Sequence, residues 1–235
     1  DYNPRVVFAY TSCLNWRDAA ALALLKLCSD IKIVFIHHGS QFPNVGIELS
    51  DVIPSPSKYI ITQLRKVYKV TDLGAGLIYG FIEDYPEVDE NVVMQKRKEL
   101  GIKKGMLCTM SGGASYKFFD NDDKSEYFEM IREMLERNPD VRHVVLSKLE
   151  TGQQQLVERI FNDSTLRERL AIMSQCPEYE PYLKCADVFI DSFPMGGAMM
   201  IVDLMRLKVP YVVKINTENI LLSFHNNQAP DFKYM

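Results

Sequence analysis

The stretch Ala186-Asp-Val-Phe-Ile-Asp-Ser-Phe-Pro-Met-Gly-Gly-Ala-Met-Met-Ile-Val-Asp203 decides the predicted fold of this chain. It begins with an apolar run at residues 188–190, turns at Pro194 and at the pair Gly196-Gly197, and continues as a helical pattern through Leu207. This order predicts a strand, a glycine turn and a helix. A helix N-terminus offers free backbone N–H groups and the positive end of the helix dipole, so the turn is a candidate site for an anion such as phosphate.

Asp203 lies in the first turns of the predicted helix, close enough to the glycine turn for its carboxylate to accept hydrogen bonds from sugar hydroxyls. The alternative is that Gly196 and Gly197 make only a tight connection and that Asp203 is a solvated helix residue. A Gly-Gly turn alone is a weak motif, so this stretch by itself leaves both interpretations open.

Composition excludes several classes of protein. The chain has 235 residues, 47% hydrophobic and 25% charged, as expected for a soluble globular protein with one large or two small α/β domains. A formal charge of -4 argues against a nucleic-acid surface. Five cysteines without paired spacing argue against a zinc knuckle and for a reducing, cytoplasmic setting. No run approaches the roughly 20 apolar residues of a membrane span.

The first part of the chain predicts a βαβ unit. Apolar runs at residues 5–10 and 32–37 flank an Ala/Leu-rich helical pattern at residues 16–28, which implies two parallel strands. His37 and His38 then fall at the carboxyl end of a parallel strand, where open α/β sheets bind ligands. An imidazole there could act as a general base. The alternative is that one histidine hydrogen-bonds the backbone and the other is partly buried.

Strands and helices alternate again in the second part of the chain. Strands are predicted at residues 105–110, 141–146, 188–190 and 209–215, and helices at 88–101, 125–138, 153–161, 178–184 and 199–207. A linker-like segment ends at Pro86, so we predict a first domain at residues 1–86 and a second at 87–235. The expected fold is α/β, with two Rossmann-like domains, parallel sheets and a cleft between them. The chain starts abruptly before its first strand pattern, so the first domain is expected to be truncated.

A second glycine-rich turn follows the first predicted strand of the second domain. Ser111, Gly112 and Gly113 form this turn, and Lys117 stands just after it. Because the carboxyl ends of parallel strands share one edge, Lys117 and the helix at Gly197 could converge on one diphosphate. The alternative is an exposed loop lysine. His143, in mid-strand, is interpreted as structural.

Other cofactor motifs are missing from the sequence. The turn at Ser111 is not a Walker loop, because no Gly-Lys-Ser/Thr follows it, and the first βαβ unit lacks Gly-x-Gly-x-x-Gly. No Asp, Glu or His cluster has metal-ligand spacing. We therefore expect neither a redox cofactor nor a bound metal.

Three segments together resemble the inverting GT-B glycosyltransferases that include the O-linked N-acetylglucosamine transferases and the bacterial adhesin N-glucosyltransferases. Residues 5–42 resemble the last βαβ unit of that family's first catalytic domain. Residues 111–118, with Tyr116-Lys117, are similar to the segment whose lysine meets the donor diphosphate. Residues 179–203 are similar to the segment that stacks the uracil, binds the phosphates and contacts the ribose.

The resemblance implies roles for individual residues. Lys117 would be the diphosphate lysine, Tyr179 the base-stacking residue and Asp203 the ribose ligand. The phosphate turn would comprise Gly197, Ala198, Met199 and Met200. The family usually has hydroxyl residues where this chain has Met199-Met200, so only backbone N–H groups remain there as donors.

The function implied is transfer of a sugar, with inversion, from a nucleotide-diphosphate donor such as a UDP-sugar to a protein or glycan acceptor. The UDP-sugar is then the donor substrate, and no separate cofactor is expected. His37, His38 and Lys117 are the candidate catalytic residues. Two alternatives stay open: a nucleotide-sugar epimerase of the same fold, and a non-catalytic relative that serves as an interaction partner.

Overall fold

The structure is a computed structural model that describes residues 4–10, 15–36, 45–54, 87–121, 123–174, 178–197 and 199–214. The chain divides into two compact units, whose described parts lie within residues 4–54 and 87–214. The division falls between residues 54 and 87, outside the described residues. The predicted boundary at Pro86 therefore stays a prediction.

The first unit contains the expected βαβ arrangement. Its elements are β1 (Val6–Ala9), α1 (Trp16–Cys28) and β2 (Lys32–Phe35). The two strands are parallel, in register from Val6 against Lys32 to Ala9 against Phe35. The side chain of Asn15 caps α1 by accepting from the N–H groups of Arg17 and Asp18.

The second unit is a sheet with helices on both faces. Its strands are β3 (Leu107–Gly112), β4 (Val141–Leu146), β5 (Leu170–Met173), β6 (Val188–Ile190) and β7 (Tyr211–Val212). Its helices are α2 (Glu90–Glu99), α3 (Glu126–Arg137), α4 (Thr151–Ile160), α5 (Ser164–Arg167), α6 (Glu180–Lys184) and α7 (Met199–Arg206). A short 3-10 helix, Ser115–Phe118, follows β3. The α/β class with parallel sheets is confirmed.

The sheet order is β5-β4-β3-β6-β7, and every pairing is parallel. The chain starts in the middle, builds outward to β5, then returns to the centre and builds outward on the other side. The direction of winding reverses between β3 and β6. Such a switch point leaves a crevice at the carboxyl ends of the two central strands.

Separate apolar clusters cover the two faces of this sheet. On one face, Val93 of α2, Leu183 of α6 and Leu204 of α7 pack with Met110 and Phe189 of the sheet. On the other face, residues of α3, α4 and α5 pack around Val145 and Phe118. The predicted inner face of α3 is confirmed, since Phe128, Ile131 and Leu135 are fully buried and Met134 is partly buried.

Four details differ from the sequence-based expectation, and one is strand β5 (Leu170–Met173), which was not predicted. Strand β3 runs to Gly112, so Ser111 and Gly112 belong to the strand rather than to the turn. Helix α5, capped by Asp163, was not predicted, because one turn is too short to show a periodicity. Strand β7 pairs with β6 only through Tyr211 and Val212, so it is much shorter than the predicted strand at 209–215.

A buried chain of hydrogen bonds runs beneath the carboxyl end of β3. Tyr127 Oη donates to Ser111 Oγ, and Ser111 Oγ donates to Ile190 O, each over 2.5 Å. Because Tyr127 Oη donates its proton to Ser111, it can only accept from His143, so His143 Nε2–H is the donor over 2.8 Å. The other ring nitrogen, Nδ1, then accepts from Thr109 Oγ1 over 2.8 Å. Burial lowers the pKa of His143 from 6.5 to about 3, so the ring is neutral. The structural interpretation of His143 is confirmed.

This pKa makes stability depend on acidity. Between pH 6.5 and about 3, the His143 ring binds a proton in the unfolded chain but not in the folded chain. The contribution of neutral His143 to the free energy of unfolding is therefore complete above pH 6.5 and is lost as the pH falls. The free energy of unfolding should fall when the pH is lowered from about 7.5 to about 4.5. We expect this loss to be about 2 kcal/mol larger in the native chain than in His143→Gln. Urea unfolding at both pH values measures this. Equal pH dependence in the two proteins would contradict it.

Candidate functional site

The two predicted turns meet at the switch point. Lys117 Nζ donates to Gly196 O over 3.3 Å, although the two residues are 79 positions apart in the sequence. Lys117 is partly buried. Burial lowers the pKa of its ammonium, and the nearby carboxylate of Asp191 opposes that shift. Lys117 is therefore not an exposed loop lysine, and its cation lies beside the turn that precedes α7.

Local packing fixes the position of Lys117. The next residue, Phe118, is fully buried and sets its ring edge-on to Tyr127, with 4.8 Å between ring centroids. The Phe118 carbonyl accepts from Ser125 Oγ, which also caps α3. Gly113 has φ +151, and a Cβ on it would lie 3.4 Å from Lys117 Cδ. The alkyl chain of Lys117 therefore packs on position 113, where the positive φ favours glycine.

Asp191, which sequence reasoning missed, organises the second turn. It follows β6 directly and is only 2% exposed. Both carboxylate oxygens accept from the Gly197 N–H, over 2.8 and 3.0 Å. A Cβ on Gly197 would lie 2.8 Å from Asp191 Oδ1, so any larger residue would force the buried carboxylate to shift. A carboxylate at the end of a buried parallel strand was the available signal in the sequence.

This contact corrects the prediction for Gly197. Its N–H was expected to be free for an anion, but it is bonded to Asp191 because the turn folds back over the carboxylate. Helix α7 begins at Met199, and the first N–H groups of a helix have no partner within the helix. The donors that can serve an anion therefore start after Gly197, at Met199 and Met200.

Met200 and Gly112 hold the start of α7 against β3. A Cβ on Gly112 would lie 2.7 Å from Met200 Sδ and 2.9 Å from its Cε, so the thioether occupies that space. Met200 is partly buried and packs on the apolar cluster of that face. Ser111 is fully buried, and its hydroxyl is used by Ile190 and Tyr127. Its side chain therefore supports the turn from below, and a ligand role for Ser111 stays a prediction.

Tyr179 and Asp203 are in direct contact. Tyr179 Oη donates to Asp203 Oδ2 over 2.8 Å, and Arg206 Nη2 lies 3.9 Å from Asp203 Oδ1. The Asp203 side chain is only 14% exposed, so it is not a solvated helix residue. The structure thus brings together the residue predicted to stack on the nucleobase and the residue predicted to bind the ribose. Their roles in ligand binding stay predictions.

Other predicted site residues lie outside the described part. These are His37, His38 and Ala198, and nothing is described of the Met199 side chain. Within the described ranges, no group of three or more His, Cys, Asp or Glu side chains could hold a metal ion. No helix in those ranges is long and apolar enough to cross a membrane.

A cavity of about 380 Å³ lies elsewhere in the second unit. It is lined by residues of α4, α5 and β5 and of the loops next to these elements, including Ser147, Val157, Arg167 and Ile172. None of the predicted site residues line it, so it is separate from the two turns.

Comparison with known proteins establishes the fold. No model of a known protein family and no curated protein matches the sequence. Among solved structures, HepE from Anabaena in complex with UDP and glucose matches with a TM-score of 0.66 and 16% identity, over 89% of this chain and 59% of HepE. WaaG, a glycosyltransferase involved in lipopolysaccharide biosynthesis, matches with a TM-score of 0.56 and 14% identity, over 89% of this chain and 56% of WaaG.

A third match is the catalytic domain of starch synthase IV from Arabidopsis thaliana bound to ADP and acarbose. Its TM-score is 0.58 at 14% identity, over 91% of this chain and 57% of that domain. The fold is therefore the α/β fold of the GT-B glycosyltransferases, as expected. The chain spans less than three fifths of the length of each of these structures.

The contact between Gly197 and Asp191 predicts a selective effect of substitution. Gly197→Ala should displace the Asp191 carboxylate and lower the free energy of unfolding by about 2 kcal/mol. Gly152, in the first turn of α4, has no atom within 4 Å of an added Cβ and is the matched control. Gly152→Ala should be neutral or slightly stabilising, because alanine favours helix. Urea unfolding measures both variants, and equal effects would contradict the contact.

Proposed function

We propose that this chain is a glycosyltransferase that binds a nucleotide sugar, such as a UDP-sugar, with its diphosphate between Lys117 and the start of α7. The observation that carries this proposal is the contact of Lys117 Nζ with Gly196 O. It supports a single anion site made by two turns that are distant in sequence. The location supports it too, since the switch point of a doubly wound sheet is where such folds bind ligands.

The site combines two kinds of positive charge. The Lys117 ammonium is a point charge, and the N–H groups at the start of α7 are directional donors. Because Lys117 is partly buried, water screens its charge less than at an open surface. These groups would stabilise negative charge that develops on the leaving diphosphate, a contribution that is commonly the largest in such reactions. The proposal includes no metal ion.

Transfer would proceed in one displacement. The acceptor oxygen or nitrogen forms a bond to the anomeric carbon from the face opposite the diphosphate, and the bond from that carbon to the diphosphate oxygen breaks. The diphosphate leaves with the electron pair, the acceptor loses its proton to a base, and the configuration inverts. His37 or His38 is our proposal for that base.

Tyr179 and Asp203 would hold the nucleoside. Tyr179 would present its ring to the uracil, and its hydroxyl is anchored on Asp203. A carboxylate has about four acceptor positions, so Asp203 can accept from a ribose hydroxyl while it keeps the Tyr179 bond.

The matched structures add support for a nucleotide ligand. HepE was solved in complex with UDP-glucose, and starch synthase IV with ADP and acarbose. For this chain, UDP as the nucleotide, inversion and a protein or glycan acceptor are parts of the proposal. So is membership of the group that contains the O-linked N-acetylglucosamine transferases and the adhesin N-glucosyltransferases.

A non-catalytic relative of these enzymes is the second candidate, because of Met200. Its thioether packs on Gly112, so position 200 provides no side-chain hydroxyl for a phosphate. Nucleotide binding together with release of UDP in the presence of an acceptor distinguishes an enzyme from such a relative, which would show neither.

Lys117→Ala should weaken binding of UDP-glucose at least about tenfold, because the variant lacks the cation beside the phosphate turn. Isothermal titration calorimetry measures this. The matched control is Lys104→Ala, which removes the same charge from an exposed position before β3, at the opposite edge of the sheet. Equal affinities in the two variants would remove the proposed site.

A further inference from the structure

The buried carboxylate of Asp191 is an unexpected feature of an anion site. It lies directly beneath the turn proposed to receive a diphosphate, and it is 2% exposed. Its two oxygens accept from the Gly197 N–H, two residues before α7 begins. A negative charge there repels any phosphate bound at Met199 and Met200. An uncharged acceptor could make the same bond to the Gly197 N–H, so the effect of the charge can be tested separately from the bond.

The neighbours of Asp191 show that its charge acts on the site. Lys117 donates to the carbonyl of Gly196, adjacent to the residue that Asp191 holds. Electrostatic interaction with Asp191 raises the pKa of the Lys117 ammonium against the effect of burial. Tyr127 and Tyr211 also interact with this carboxylate, and both phenols are neutral. The Asp191 carboxylate and the Lys117 ammonium therefore both act electrostatically on the same turn.

Nucleotide ligands differ in the charge they bring to this turn. The terminal phosphate of free UDP carries about −1.5 to −2 charges at pH 7, because its second pKa is near 6. In a nucleotide sugar the same phosphate is a diester and carries about one charge. Both ligands present the same uridine and the same diphosphate chain. The extra charge of UDP is the part that a fixed carboxylate at the turn penalises.

We propose that Asp191 is a specificity-determining residue, which lowers the affinity of the site for free nucleoside diphosphate relative to the nucleotide sugar. This inference rests on the proposed function, because it takes the diphosphate site at Lys117 as given. The charge of the carboxylate lowers the affinity for the more highly charged nucleoside diphosphate, while its hydrogen bond to Gly197 positions the turn. The same penalty favours release of the nucleoside diphosphate after the sugar has been transferred.

The test compares three ligands of rising charge, UDP-glucose, UDP and UTP, by calorimetry at pH 7 with the native chain and with Asp191→Asn. Asparagine keeps an oxygen that can accept from the Gly197 N–H and removes the charge. Affinity for UDP should rise about tenfold relative to UDP-glucose, and affinity for UTP should rise further. Asp140→Asn is the matched control. It removes an exposed carboxylate just before β4, at the opposite edge of the sheet, and should leave the ratios unchanged.

The possible outcomes separate the inference from the proposed function. Native chain that binds none of the three ligands would overturn both. Native binding with the same ligand ratios in Asp191→Asn would overturn the inference alone, because loss of a purely structural role weakens all three ligands together. If Asp191→Asn does not fold, as judged by circular dichroism, Asp191→Ala removes the same charge and the same ratios are measured on it.

Discussion

The hydrogen bond of the Asp191 carboxylate to the Gly197 N–H is the constraint on which the site depends. It folds the chain after β6 back onto the end of its own strand, and this places the Gly196 carbonyl where Lys117 reaches it. It also occupies the Gly197 N–H, two residues before α7 starts at Met199. A Cβ at position 197 would collide with this carboxylate, which explains the glycine more specifically than a general need for a turn.

The layers beneath the turns make this arrangement rigid. A series of hydrogen bonds from Thr109 through His143, Tyr127 and Ser111 ends on the carbonyl of Ile190, one residue before Asp191. Each side chain in the series forms a hydrogen bond with the next one, so these polar groups at the centre of the sheet are paired, as buried polar groups generally are. Helix α3 supplies both Tyr127 and the cap that holds Phe118 next to Lys117. One helix thus links the central strands to the cation.

Hydrophobic periodicity was enough to predict most of this fold. The bounds of α1 and β4 coincide with the predicted ones, and α7 ends one residue early, because each has a long or sharply bounded apolar pattern. The convergence of Lys117 and Gly196 followed from the rule that parallel strands share an edge. Asp191 could not be placed in the same way. Its role depends on a backward bond across a six-residue turn, and apolar spacing carries no information about such a bond.

The central claim is that a diphosphate lies between Lys117 and the start of α7. A crystal structure of the chain with UDP tests it most directly. The account predicts diphosphate oxygens about 3 Å from Lys117 Nζ and from the N–H groups of Met199 and Met200, with Asp191 still bonded to Gly197. A diphosphate bound elsewhere on the chain, or bound at the turn with Lys117 directed away from it, would contradict the account.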